Sequence, residues 1–162
     1  MTDPHPSAYE VHYGRRPSQL IFGAGWKRYV ALRVDSTGLT LGGVPIRHRA
    51  HTAVIPWEDL TAIVLWRQHV SDVAPGTALK AVTATDTLDY IGVRLRPGVQ
   101  TPPGPNRKIS PKRAARFAPH IDYELAVTSH PIVVWRPDVP SIRAAVHAFA
   151  PHVPVEDLRD TR

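Results

Sequence analysis

The sequence predicts a mainly β fold with one long α-helix near its C-terminus, and three observations carry that expectation. Apolar residues alternate with polar ones over short runs, the periodicity of strands with one buried face. Seventeen of the 162 residues are proline, roughly twice ordinary usage, which cuts the chain into short pieces and leaves little room for long helices. One late stripe, Val139, Ile142, Val146 and Phe149, steps by three, four and three, the spacing of a helix face.

The elements follow in chain order. Residues 1–19 are polar and hold Pro4, Pro6 and Pro17, so a flexible N-terminal arm is expected, with Tyr9–Tyr13 as a short edge strand. In WKRYVALRV, residues 26–34, Val30, Leu32 and Val34 alternate with Tyr29, Ala31 and Arg33, a half-buried strand. Asp35-Ser36-Thr37-Gly38 opens on Asp and closes on Gly, a tight turn, and Leu39-Thr40-Leu41 resumes the alternation, completing a hairpin. Residues 42–51 read as a loop. Ala53-Val54-Ile55 is a short strand ended by Pro56, and Trp57 to Leu60 makes a corner.

Residues 61–68, TAIVLWRQ, are apolar on both faces, as in a strand buried on both sides. Residues 71–87 are weakly patterned. Residues 88–96, LDYIGVRLR, are the cleanest strand, with Ile91, Val93 and Leu95 facing one way and Tyr90, Arg94 and Arg96 the other. Residues 97–120, with six prolines, read as a long basic loop in which 111–117 suits one or two helical turns. Tyr123–Thr128 alternates again and reads as a strand, as does Ile132–Trp135 after the turn Ser129-His130-Pro131. The helix is expected over 139–150, with Asp138 as N-cap, Pro140 in its first turn and Pro151 as its stop. Residues 151–162 read as an extended tail.

Charge is concentrated. The net charge of +6 arises from 20 basic and 14 acidic residues. The 32 residues from Tyr90 to Ile121 contain no acid and seven bases: Arg94, Arg96, Arg107, Lys108, Lys112, Arg113 and Arg116. The rest of the chain is therefore close to neutral, and the basicity belongs to one segment and to what it faces. Those seven residues are the candidate polyanion-binding set.

Enzyme chemistry finds little footing. There is no cysteine, which removes disulfides, thiolate metal sites and a thiol nucleophile, and no Gly-x-Ser-x-Gly elbow. His48-x-x-His51 lacks an evident third ligand, and solvated histidines explain it better than a metal site. Gly23-Ala24-Gly25 leads into a strand, not a helix, and reads as a turn. Glu58-Asp59 reads as a corner former rather than an acid pair. Trp57, Trp66 and Trp135 lie in apolar contexts and are expected in the core, with Trp26 the more exposed. No catalytic residue, metal ligand or cofactor is expected.

The stretches VDSTGLTL, VIPWEDLTAIVLWRQ, LDYIGVRLRP and SIRAAVHAFAPHVPVED resemble those of small bacterial proteins with a pleckstrin-homology-like (PH-like) domain. Val54-Ile55-Pro56-Trp57-Glu58-Asp59 and Trp135-Arg136-Pro137-Asp138 stand where such proteins carry a strand-end motif and the start of the last helix. The resemblance covers about residues 20–157 and rests on core and turn residues. It implies a two-sheet antiparallel barrel of about seven strands in meander order, capped by the C-terminal helix, with the domain spanning 20–150. It implies binding rather than catalysis, since PH-like domains bind lipid head groups, peptides or proteins. Lipid-binding members carry basic residues across an open first hairpin. Here that loop is the tight Asp35–Gly38, led by an acid and flanked by Lys27 and Arg33, with Arg47 and Arg49 one loop later, so a phosphoinositide pocket of that kind is not expected.

The first functional expectation is thus a non-enzymatic module binding a protein or peptide, including a second copy of itself through an exposed strand edge. The alternative is a polyanion binder using the 90–121 segment on nucleic acid or anionic lipid head groups. Phe117 is the only aromatic residue of the loop, which argues against a base-stacking platform. MTDPHPSAYEVHYGRRP has no apolar run of a signal peptide, and a cytoplasmic protein with at most electrostatic membrane contact is expected.

Overall fold

A computed structural model of the protein describes residues 8–14, 29–69 and 87–160. The turn at Gly23-Ala24-Gly25, Trp26, Lys27 and the weakly patterned stretch through residue 86 lie outside the described residues.

The fold is mainly β, with two four-stranded sheets. The first sheet is a consecutive antiparallel meander of β1 (Tyr9–His12), β2 (Val30–Asp35), β3 (Gly38–Leu41) and β4 (Ala53–Ile55). The hairpin forms as expected: Asp35 pairs with Gly38, and the Asp35 carboxylate accepts from the Thr37 amide at 2.8 Å and its hydroxyl at 2.6 Å. Gly38 has φ 146°, and a side chain there would run into the Ile55 carbonyl of β4. Residues 42–51 are not a plain loop. They contain a 3₁₀ turn, Pro45–Arg47, and the one-turn helix α1 (His48–His51).

The second sheet contains β5 (Leu60–His69), β6 (Thr87–Leu95), β7 (His130–Pro131) and β8 (Val155–Asp157), in the order β7-β6-β5-β8. The expected tail, 151–162, is therefore partly strand: β8 pairs in parallel with Ile63–Leu65 of β5. That parallel pair breaks the meander, and the described residues form eight strands where about seven were expected. Among the described residues the sheets do not join into a closed barrel.

One core lies between the sheets. Leu32, Val34 and Leu39 of the first sheet meet Ile63, Leu65 and Ile91 of the second, with Ile142 and Val146 of α4 (Val139–Phe149) packed among them. The helix starts where Asp138 accepts from the Ser141 amide and hydroxyl, and its stripe buries inward. Each such side chain contributes roughly 1.5–3 kcal/mol by leaving water.

A second core lies on the opposite face of β5 and β6. Ala62, Val64, Trp66, Leu88 and Tyr90 point into it, so β5 is buried on both sides as its sequence suggests. Its cover comes from two helices: α2 (Pro111–Phe117), inside the expected loop, and α3 (Tyr123–Thr128), in place of an expected strand.

The correction at 123–128 has a local cause. Asp122 caps the helix, its carboxylate accepting from the Leu125 amide at 2.8 Å. Gly92 lets α3 lie close on β6, since a Cβ there would meet Ser129 Oγ and come within 2.9 Å of Leu125 Cδ1. The Thr128 hydroxyl then accepts from the Val93 amide at 3.2 Å and donates to the Val93 carbonyl at 2.7 Å. A side chain thus completes the edge of β6 that β7 is too short to pair. The expected strand Ile132–Trp135 is also absent: Val134 takes φ 64°, which turns the chain, and its carbonyl accepts from the Gly14 amide at 2.7 Å.

Candidate functional site

The basic segment is built onto the second core. Within α2, Ala114 is buried and Phe117 half-buried, and Ala118 follows them inward, a stripe at steps of three and one. Phe117 meets the edges of Trp66 and Tyr90, with ring centroids 6.1 and 5.6 Å away. Trp66 and Tyr90 are themselves stacked at 4.4 Å, and the Trp66 indole donates to Ser129 Oγ at 2.9 Å. With that face fixed inward, helical geometry sends Lys112, Arg113 and Arg116 outward, and all three are exposed. Ser110 starts the helix, its hydroxyl accepting from the Arg113 amide.

The turn before α2 is anchored as well. Gly104 is buried against the His130 ring, the Asn106 amide donates to the Ser129 carbonyl at 3.3 Å, and the Ile109 amide donates to the Asn106 carbonyl at 2.9 Å. Arg107 and Lys108 project from this turn into solvent. Among the described residues, Arg107, Lys108, Lys112, Arg113 and Arg116 have no carboxylate partner. Elsewhere, Arg33, Arg67 and Arg159 are each ion-paired.

Two of the seven expected residues lie outside this helix and the turn before it. Arg94 is held by Asp122, the first acid after the acid-free window, at 2.6 Å. Arg96 lies beyond the end of β6, where its amide donates to the Asp59 carbonyl. Of the cations beside the hairpin, Arg33 is engaged by Asp35 and Glu10. The Asp35 carboxyl is held below its ordinary range by the Thr37 hydroxyl first and by Arg33 as well.

One site residue escaped the sequence reading. Tyr123, at the start of α3, is one of two large apolar side chains exposed among the described residues, and its hydroxyl donates to the Ile109 carbonyl at 3.1 Å. The aromatic ring is thereby tied to the middle of the basic segment. The signal was Asp122, a capping residue followed by Glu124 in the first turn, which marks a helix start rather than a strand.

His48 and His130 hold parts of the fold together. His48 stacks on Tyr29 at 4.5 Å and bonds the Val30 carbonyl through Nε2. His130 is buried; its Nδ1 donates to the Gly42 carbonyl at 3.1 Å, and burial lowers its pKa to about 4 against the pull of the Gly42 and Pro103 carbonyls. Among the described residues no three His, Asp or Glu side chains are grouped to hold a metal ion. Glu58 and Asp59 sit in the 3₁₀ corner Trp57–Asp59, whose indole donates to the Asp35 carbonyl. Trp57, Trp66 and Trp135 are all buried.

A cleft of about 290 Å³ lies beside β4, lined by Val54, Ile55, Asp59, Leu95, Val99 and Arg107 among others. β4 is an outer strand of its sheet and Val54 is 63% exposed. Among the described residues no helix is long and apolar enough to cross a membrane. In comparison with known proteins, no family profile, curated protein or solved structure matches the chain.

Proposed function

We propose that the protein is a non-enzymatic interaction module of PH-like type whose working surface is the outer face of α2 and the turn before it, and that this face grips a polyanion. The observation that carries the reading is the set of five solvent-facing cations, Arg107, Lys108, Lys112, Arg113 and Arg116, on backbone anchored to the second core. Holding five cations on one short segment with no carboxylate partner costs self-repulsion, and an anionic partner relieves it. Anchoring also means that little backbone freedom must be lost on binding. The consecutive first sheet and the terminal helix α4 support the PH-like reading of the frame.

Titration of inorganic polyphosphate and heparin at rising salt tests this. The wild type is expected to bind both, with affinity that falls steeply as salt rises. A variant with all five cations changed to Gln is expected to lose that binding while melting normally. Unchanged binding in the variant would rule out this face.

The second reading, a peptide or protein partner, is favoured by one other observation, the cleft beside the outer strand β4 with its exposed Val54. An extended segment adding to that edge would make main-chain bonds and place an apolar side chain in the cleft. Such binding would survive high salt, which separates the two readings.

A further inference from the structure

We infer that the polyanion is single-stranded nucleic acid, with an unpaired base stacked on Tyr123 while the phosphates on either side meet the cations of α2 and its preceding turn. This rests on the polyanion reading and narrows it. The juxtaposition that carries it is an exposed aromatic ring fixed among unpaired cations. Tyr123 is 42% exposed at the first position of a helix whose last four residues, Leu125 to Thr128, are all buried. Its hydroxyl bonds the Ile109 carbonyl, so the phenol end is held between Lys108 and Lys112 in the chain. A phenol pinned at its hydroxyl presents its ring at little entropic cost, and a base face is the flat apolar partner that such a ring takes.

Other polyanions use the cations but not the ring. A duplex keeps its bases stacked on one another, polyphosphate has none, and a lipid surface would ask for a broader apolar wedge than one tyrosine. Two acids stand nearby. Asp122 is committed to Arg94, and Glu124 is exposed next to Tyr123, where it opposes phosphate and limits how closely the strand follows α3.

The test uses the full chain and four probes: a fluorescent oligo-dT of roughly twelve nucleotides, a duplex of the same length, inorganic polyphosphate, and vesicles containing phosphatidylserine. The variants are Tyr123→Leu, which removes the ring, and Tyr123→Phe, which keeps the ring and removes only the hydroxyl anchor. The expected result is tighter binding of the single strand than of the duplex or vesicles. Tyr123→Leu should weaken the single strand roughly ten-fold, the loss of one base–aromatic stack, and leave polyphosphate binding unchanged. Tyr123→Phe should retain most of the affinity. If Tyr123→Leu leaves oligo-dT binding unchanged, or if duplex or vesicles bind more tightly, the stacking inference is overturned while the polyanion reading stands. If the wild type binds none of the four probes, both fail.

Discussion

His130 Nδ1 donates to the Gly42 carbonyl across 3.1 Å, joining β7 of the second sheet to the segment that follows β3 of the first. The same carbonyl accepts from the Tyr13 hydroxyl at 3.1 Å, so one acceptor ties three parts of the chain together. The other ring nitrogen, Nε2, is buried and sits under Gly104.

This arrangement sets a pH dependence. His130 is neutral in the fold, with its pKa lowered from 6.5 to about 4 by burial. Between those values the unfolded chain binds the proton and the folded chain does not. Its contribution is therefore complete above pH about 6.5 and is lost as pH falls toward about 4, by up to about 3 kcal/mol in all. Asp35 and Asp157, both held below the ordinary carboxylate range, add losses only further down, below about pH 4. Urea unfolding across this range is expected to show the decline in the wild type and a flatter profile in His130→Asn, whose amide can keep the bond to Gly42. Parallel profiles would show that His130 does not titrate in this way.

Gly92→Ala tests how α3 is seated. The added methyl meets Ser129 Oγ and Leu125 Cδ1, and overpacking of this kind costs about 1–3 kcal/mol. Hydrogen exchange should speed up over residues 123–129 and at the Val93 amide, which depends on Thr128. A change spread evenly over the molecule would mean that the contact is not local.

Asp122 does two jobs that substitution separates. Asp122→Ala removes both the cap of α3 and the charge opposite Arg94, with an expected loss of about 1 kcal/mol, mostly from the cap. Asp122→Asn keeps a capping oxygen and should cost only a few tenths of a kcal/mol. Both variants free Arg94, and polyphosphate affinity should rise modestly in each. Equal destabilisation by the two would assign the effect to the ion pair.

Asp89 lies between Arg67 at 2.7 Å and Arg159 at 3.3 Å, and Arg159 also holds Asp157 at 2.7 Å. This chain of charges fastens the segment after β8 to β6. Arg159→Gln should cost about 1 kcal/mol, since the groups are only partly shielded from water. The Leu158 amide, which donates to the Leu65 carbonyl, should lose exchange protection first. Retained protection there would show that β8 holds without the clasp.

Much of the frame was legible in the sequence. Asp35 and Gly38 mark the hairpin, the doubly apolar run at 61–68 marks a strand covered on both faces, and Asp138 with the stripe from Val139 marks α4. Residues 123–128 misled because Tyr123, Leu125 and Val127 alternate by chance on a short helix whose last four residues are all buried. Over so few residues, with the last four all buried, a period of two cannot be told from one of 3.6. The parallel pairing of Val155 with Ile63 left no local trace, because it depends on contact across the whole domain. At the site, the sequence pointed to the five free cations. It did not separate them from Arg94, whose partner stands one residue outside the acid-free window, or bring Tyr123 to Ile109.

The pairing of β5 with β8 has a consequence for synthesis. Ile63 leaves the ribosome about ninety residues before its neighbour Val155. Throughout that interval β5, a strand buried on both faces, has one edge unmade, and long-range pairings of this type form slowly. A nascent chain stalled before residue 155 would present that open edge to other chains and invite aggregation, as exposed strand edges do. Truncations that remove β8 should therefore express as insoluble material, even though both the proposed binding face and its tyrosine lie upstream of the cut.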